Sequence, residues 1–228
     1  MPSKHEPCAA VTQSTLNVQS GKLELLHTPL IKLKQLPFDK AALTRDYDWL
    51  VLTSKNAVDM LMDYKDQLSV SKIASIGEKT TERLKSYGFE VNFEPATYTQ
   101  EGFTADFKVS EDLDILYPTS KNARTKLKDF FEDNGCNVTK VDLYEPIPNQ
   151  ESIVRLQSAF EEIDAITVSS SSSARILGEH FSPDLLCDKI VVAIGEITAR
   201  TLAEYKIKAE VPEKETLASM INLLEELI

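Results

Sequence analysis

Five short turns in this chain join hydroxyl groups to the start of an amphipathic stretch: Thr53-Ser54-Lys55-Asn56, Gly77-Glu78-Lys79-Thr80, Thr119-Ser120-Lys121, Ser169 to Ser173, and Gly195-Glu196-Ile197-Thr198. Each follows an apolar run of strand type. A helix that begins at such a turn leaves its first backbone N–H groups free and points the positive end of its dipole outward. With a serine or threonine hydroxyl alongside, these donors suit carboxylate or phosphate groups. The chemistry on offer is recognition of anions by geometry rather than by formal charge. Ser and Thr are also ordinary N-caps, and capping alone accounts for any single turn. Glu78 and Glu196 sit where a carboxylate steadies the dipole, so they read as structural. Lys55, Lys79 and Lys121 fall in first turns, the wrong end of a helix for a cation. A bound anion explains that placement, and so do solvated lysines at a rim.

Other chemistries lack their residues. There is no GxxxxGK loop and no GxGxxG after a strand, and the chain holds only 7 glycines, so a nucleotide phosphate has no cradle here. No serine sits in a GxSxG elbow. Cys8, Cys136 and Cys187 are odd in number and scattered, as reduced, mostly buried thiols are. His5, His27 and His180 share no ligand spacing with them, so neither a metal nor a cofactor is expected. A net charge of −11 argues against nucleic acid, which needs a basic face. No apolar run approaches the roughly 20 residues of a membrane span. The polar start, Met1 to Pro7, carries no signal-peptide pattern and reads as a frayed terminus, so a cytoplasmic location is expected.

The turns recur in order, and this fixes the elements that must position them. Tyr47 to Ser54 and Ile163 to Ser170 both read as Asp, apolar strand, hydroxyl pair, helix start. Ile73 to Thr80 matches Val191 to Thr198. The offsets, 164 − 48 = 116 and 195 − 77 = 118, nearly agree, which marks an internal duplication. Thr53-Ser54-Lys55-Asn56-Ala57 also recurs letter for letter at Thr119 to Ala123, predicting the same strand-to-helix turn there. Strands are expected at 9–12, 50–53, 73–76, 90–93, 114–117, 138–143, 164–168, 189–194 and 207–211. Helices are expected at 55–66, 78–87, 100–108, 121–134, 151–161, 171–180, 196–205 and 215–227. This alternation predicts an α/β chain with two doubly wound parallel sheets. Because the first strand lies far from its companions, one domain is inserted in the other: residues 1–33 with 148–228, and residues 38–143. The Pro-containing segments at about 28–37 and 141–148 would link them as two antiparallel strands, a tether and a hinge. Ligands in such sheets bind outside the carboxyl ends of the strands, where the five turns lie.

Several blocks, in order, resemble one known family. They are Leu52 to Val58; Ile76-Gly77-Glu78-Lys79-Thr80 with Leu84 and Gly88-Phe89; Leu116-Tyr117-Pro118 with Ala123-Arg124 and Leu127; Leu143-Tyr144-Glu145-Pro146; and Ala193 to Ala199. Over nearly its whole length the chain resembles the uroporphyrinogen-III synthase family. The resemblance implies a monomer of two flavodoxin-like domains joined by a two-stranded ladder. It implies a linear substrate, hydroxymethylbilane, whose eight carboxylates are held in the cleft by backbone N–H groups and hydroxyls. Water is removed, the terminal pyrrole ring is inverted and the macrocycle closes, without cofactor or metal. By position, Tyr144 matches the tyrosine that assists hydroxyl departure. Substrate contacts fall on Thr53, Ser54, Lys55, Asn56, Gly77, Thr80, Ser120, Ser169, Ser170, Ser172, Gly195 and Thr198. The chain departs from the pattern at Thr12-Gln13, where Thr-Arg is common, and at Ser171, where proline is common. A rival of another class is a two-lobed hinge protein that closes on a small polyanion without chemistry. A pair of receiver domains is excluded, because Asp48 and Asp164 lie at strand starts, the wrong end for a phosphoacceptor.

Overall fold

The computed structural model describes residues 6–228. Met1–His5, part of the stretch read as a frayed terminus, lie outside the described residues. The chain divides into two compact units, one running up to Lys32 and resuming over Ile147–Ile228, the other Leu33–Pro146.

The five-stranded sheet has the order β3 (Ile31–Gln35), β7 (Asn137–Pro148), β6 (Asp114–Ser120), β4 (Asp46–Leu52), β5 (Ser69–Ser75). The pairs β4–β5, β4–β6 and β6–β7 are parallel. Its helices are α1 (Lys55–Leu61), α2 (Glu78–Ser86), α3 (Gln100–Asp106) and α4 (Lys126–Asp133). A sheet covered on both faces needs strands that are apolar at every position, with successive side chains pointing opposite ways. Leu50, Leu52 and Leu116 accordingly pack with Leu61 of α1 and Leu84 of α2. Val51, Ile115 and Tyr117 pack on the other face with Phe103, Phe107, Leu127 and Phe131. Lys32 and Lys34 keep the β3 edge charged and exposed, which discourages pairing with another chain.

The four-stranded sheet has the order β2 (Glu24–His27), β1 (Cys8–Val11), β8 (Ala165–Val168), β9 (Ile190–Ala193), parallel throughout. With it go α5 (Gln150–Ser158), α6 (Ser171–His180), α7 (Pro183–Leu186), α8 (Glu196–Glu204) and α9 (Leu217–Leu227). Ala10, Ile166 and Val168 face Ile153, Leu177 and Leu202. Ala9, Val11 and Val192 face Met220, Ile221 and Leu224.

Single parallel bridges add Phe93 beside Ala74 of β5 and Glu210 beside Val192 of β9. The two sheets then read β7-β6-β4-β5-Phe93 and β2-β1-β8-β9-Glu210. They are one pattern, entered by the chain at different strands, with β1 and β2 standing where β6 and β7 stand. Along the chain the second runs 2-1-3-4-5, the flavodoxin-like order. The repeated aspartates have matching jobs. Asp48 Oδ2 accepts the N–H of Asp114, the first residue of β6, and Asp164 Oδ2 accepts that of Cys8, the first of β1, both at 2.9 Å.

Several sequence expectations need correction. The strands expected at 90–93 and 207–211 are reduced to those single bridges. The short strand Glu24–His27 was not foreseen, and β7 runs unbroken through the expected linker at 141–148. Helix 55–66 is α-helical only to Leu61 and continues as a 3-10 turn over Met62–Gln67. The expected helix at 121–134 starts at Lys126, although its first letters copy those of α1. The cause is where the apolar stripe falls. After Thr53-Ser54 the buried residues are Ala57, Val58 and Leu61, whereas after Thr119-Ser120 they begin at Leu127 and Phe131. Identical turn letters do not start a helix until there is a face to bury.

Candidate functional site

In both sheets the connections reverse direction at one point, between β4 and β6 and between β8 and β1. A crevice opens outside the carboxyl ends of strands at such a point. Thr53 and Ser54 follow β4, and Ser120 ends β6. Ser54 is extended (φ −153°, ψ 146°) and caps α1, its Oγ accepting the Ala57 N–H at 3.1 Å. Lys55, exposed, and Asn56, half-buried, open that helix.

A second bond leaves Ser54. Its Oγ lies 2.9 Å from the Tyr144 hydroxyl. Tyr144 is only 7% exposed. A shift in strand pairing brings it there. Thr119 stands opposite Asp142, but Ser120 stands opposite Tyr144, so β7 carries one residue more than β6 at this place. Such irregularities re-aim side chains. The Lys121 N–H then donates to the Tyr144 carbonyl at 2.8 Å. Tyr144 is thus held at its backbone by Lys121 and at its phenol by Ser54. Next to it, Glu145 meets Lys34 and Lys121, each at 3.4 Å. The hydrogen bond from Lys34, with Lys121 adding to it against some desolvation, holds the Glu145 carboxyl below its usual range. Lys121 is therefore no helix-start cation, and its carboxylate partner accounts for its position.

Beneath this group lies Tyr117, with no solvent exposure. Burial pushes its phenol up, and the hydroxyls of Thr119 and Thr53 draw it part of the way back. Neither reaches hydrogen-bonding geometry, so the Tyr117 hydroxyl has no partner among the described residues. From sequence, Tyr117 stands only as a family marker, Thr119 only as part of its turn, and Lys34 and the acid Glu145 carry no signal as site residues. Alternation along β6, which puts Tyr117 and Thr119 on one side, was the available signal.

Gly77 and Thr80 lie one strand away, after β5. Gly77 takes φ 98°, a left-handed value that favours glycine, and its carbonyl accepts the Thr80 N–H at 2.9 Å. In the other unit, Ser169 and Ser170 follow β8 at its reversal point. Ser170 caps α6, accepting from the Ser173 N–H at 3.1 Å. Ser172 is exposed on that helix. Gly195 begins α8 in extended backbone (φ −168°), unlike its twin Gly77, and Thr198 is buried. Gln13, just past β1, accepts from the His27 Nε2–H through its carbonyl, while its buried side-chain Oε1 has no hydrogen bond among the described residues. Within each unit, then, the structure gathers the reversal-point residues: Thr53, Ser54, Ser120 and Tyr144 in one, Ser169 and Ser170 in the other. The Gly-x-x-Thr turns stand at the neighbouring strand ends. Among the described residues no three His, Cys, Asp or Glu side chains are grouped to hold a metal ion, and no helix is long and apolar enough to cross a membrane.

A family model described as uroporphyrinogen-III synthase HemD matches residues 14–222. The chain belongs to the uroporphyrinogen-III synthase family. It is 26% identical over 212 residues to a uroporphyrinogen-III synthase of Synechococcus elongatus, covering 84% of this chain and 80% of that one. It is 26% identical over 194 residues to the porphyrin biosynthesis protein HemD of Ruminiclostridium josui, covering 80% of this chain but only 38% of that protein's length. The uroporphyrinogen-III synthetase structure from Helicobacter pylori superposes with a TM-score of 0.67 at 19% identity, over 97% of this chain and all of that one. At that identity the likeness speaks for the fold. Members of this synthase family are enzymes, which sets the non-catalytic hinge protein aside.

Proposed function

We propose that this chain converts hydroxymethylbilane to uroporphyrinogen III and that Tyr144 assists loss of the hydroxyl. What carries the reading is the Tyr144 phenol, buried at the reversal point of its sheet and held by the capping serine at 2.9 Å. Ser54 already accepts the Ala57 N–H, so its own proton is free to point at the Tyr144 oxygen. The phenol proton is then free to turn outward. As the bond between the hydroxymethyl carbon and its oxygen breaks, the electron pair leaves with the oxygen and the phenol donates a hydrogen bond or proton to make water. The pyrrole nitrogen stabilises the carbon left behind. The substituted carbon of the terminal ring attacks, the rearranged ring closes, and the proton lost from that ring restores the phenol.

The substrate's carboxylates, on this reading, are held by the turns at the carboxyl ends of both sheets, through N–H groups and the hydroxyls of Thr80, Ser120, Ser170 and Thr198. That lets an acidic chain take an acidic ligand. Holding the substrate in the curled form that favours attack at the substituted carbon is the larger catalytic task. The two strands β3 and β7 would form the joining ladder of a cytoplasmic monomer.

The test is turnover of freshly made hydroxymethylbilane, with the isomers separated after oxidation. Wild-type protein should give isomer III. Tyr144→Phe should stay folded and react about 10²-fold more slowly, the scale of general acid help. Isomer I alone from wild-type protein would refute the activity, and full turnover by Tyr144→Phe would refute the role.

A further inference from the structure

We propose that Tyr117 is a positioning residue for the Tyr144 phenol, acting through the two threonines that flank its buried hydroxyl. The inference rests on the role of Tyr144 given above. Packing explains the Tyr117 ring, which lies among Phe103, Leu127 and Phe131. It does not explain the hydroxyl, because a phenylalanine would fill the same space. A fully buried hydroxyl with no direct partner among the described residues calls for an explanation beyond packing.

The neighbours show what that task is. The β4–β6 register sets Thr53 beside Thr119, both close enough to the Tyr117 oxygen to influence its charge, as Tyr144 is. Each threonine stands one or two residues before a group that grips Tyr144. Thr53 precedes Ser54, which binds the phenol. Thr119 precedes Ser120 and Lys121, whose N–H binds the Tyr144 carbonyl. The register shift that re-aims Tyr144 falls between Thr119 and Ser120. Threonine side chains are stiff at χ1, so fixing their hydroxyls fixes the backbone that carries them. Three convergent hydroxyls also meet the need of one bridging water for two to four polar partners. Tied through such a water, both grips on Tyr144 would share one anchor at the Tyr117 hydroxyl, and the phenol would keep its direction through the reaction.

Tyr117→Phe keeps the ring and removes the anchor. It should stay folded, while kcat falls about tenfold at unchanged KM, the loss expected for one misdirected hydrogen bond. Combined with Tyr144→Phe, it should cause no further loss, because the group it positions is gone. Full kcat would overturn the proposal, as would a loss that persists undiminished in the Tyr144→Phe background. If Tyr117→Phe does not fold, Thr119→Val, which keeps the shape and drops a flanking hydroxyl, should reproduce the kinetic pattern, and full kcat there overturns the proposal. Failure of the underlying role of Tyr144 shows separately, as full turnover by Tyr144→Phe alone.

Discussion

Replacing Ser54 with alanine deletes one oxygen and two hydrogen bonds. The first is the cap on α1, accepted from the Ala57 N–H, and losing a serine cap costs about 1 kcal/mol. The second is the bond to the Tyr144 phenol, worth about 0.5–1.5 kcal/mol net, and more when the abandoned partner is as buried as Tyr144. Ser54→Ala should therefore destabilise by about 2 kcal/mol. In a chain of this size that lowers the melting temperature by about 4–8 °C. Tyr144→Phe loses only the second bond and should cost about 1 kcal/mol. The double variant should fall short of the sum of the two by about 1 kcal/mol, since the shared bond can be lost only once. Ser54→Asp separates the two roles. Its carboxylate still caps the helix, but it draws the phenol proton to itself, so stability stays near wild type while turnover drops. Thermal and urea unfolding followed by circular dichroism, with turnover measured on the same samples, reads all four proteins. Strict additivity of Ser54→Ala and Tyr144→Phe would show that the 2.9 Å contact contributes nothing, and the account of how the phenol is aimed would fall with it.

The twin glycines should respond differently to alanine. Gly77→Ala forces a side chain into φ 98° and should cost about 1–2 kcal/mol, whereas Gly195→Ala, in extended backbone with only the movable Glu215 carboxylate in its way, should cost less than about 0.5 kcal/mol. Thermal melts decide, and the reverse order would refute the backbone reasoning. Glu145→Gln should weaken the hold of Lys34 and Lys121 slightly, in a salt-sensitive way. Because the folded carboxyl titrates below its usual value, its contribution is present above the unfolded pKa of about 4.3 and is lost as pH falls through the lower folded value. Wild type and Glu145→Gln should thus differ at pH 7 in low salt and converge in acid; a difference that grows on acidification would contradict this.

Much of this fold could be read in the letters because burial on both faces of a sheet demands continuous apolar strands. Leu50-Val51-Leu52 and Ile190-Val191-Val192 are such runs, and both are strands. The duplication was legible for the same reason. That the two copies are circularly permuted was not, because β1 and β6 share almost no letters; their equivalence rests on neighbours and on the aspartates that hold their first N–H groups. The helix after Ser120 starts later than its turn letters suggest, because a cap signal acts only with a buried stripe behind it. At the site, the turn residues were legible as hydroxyls before helices, and Ser54 and Ser170 are indeed caps. The bond from Ser54 to Tyr144 joins residues 90 positions apart and depends on a one-residue shift in strand pairing, which no local pattern encodes.

The two crevices also differ in a way that the proposed reaction explains. At matched places in their turns stand Lys79 and Ile197, 118 residues apart. Ile197 is 75% exposed, an apolar side chain where its twin carries a charge. A bilane offers both kinds of surface, carboxylates at its edge and pyrrole rings within. The hydroxyl-bearing turns occur in both units, as the proposed recognition of many similar carboxylates would require. Tyr144 has no phenol counterpart in the other unit, where the matching positions, just past β2, are Leu30 and Ile31. One turnover breaks one carbon–oxygen bond, so a single phenol suffices. On the proposed reading, duplication multiplied the turns that meet a group the substrate presents many times over, while the phenol that would act once stays single.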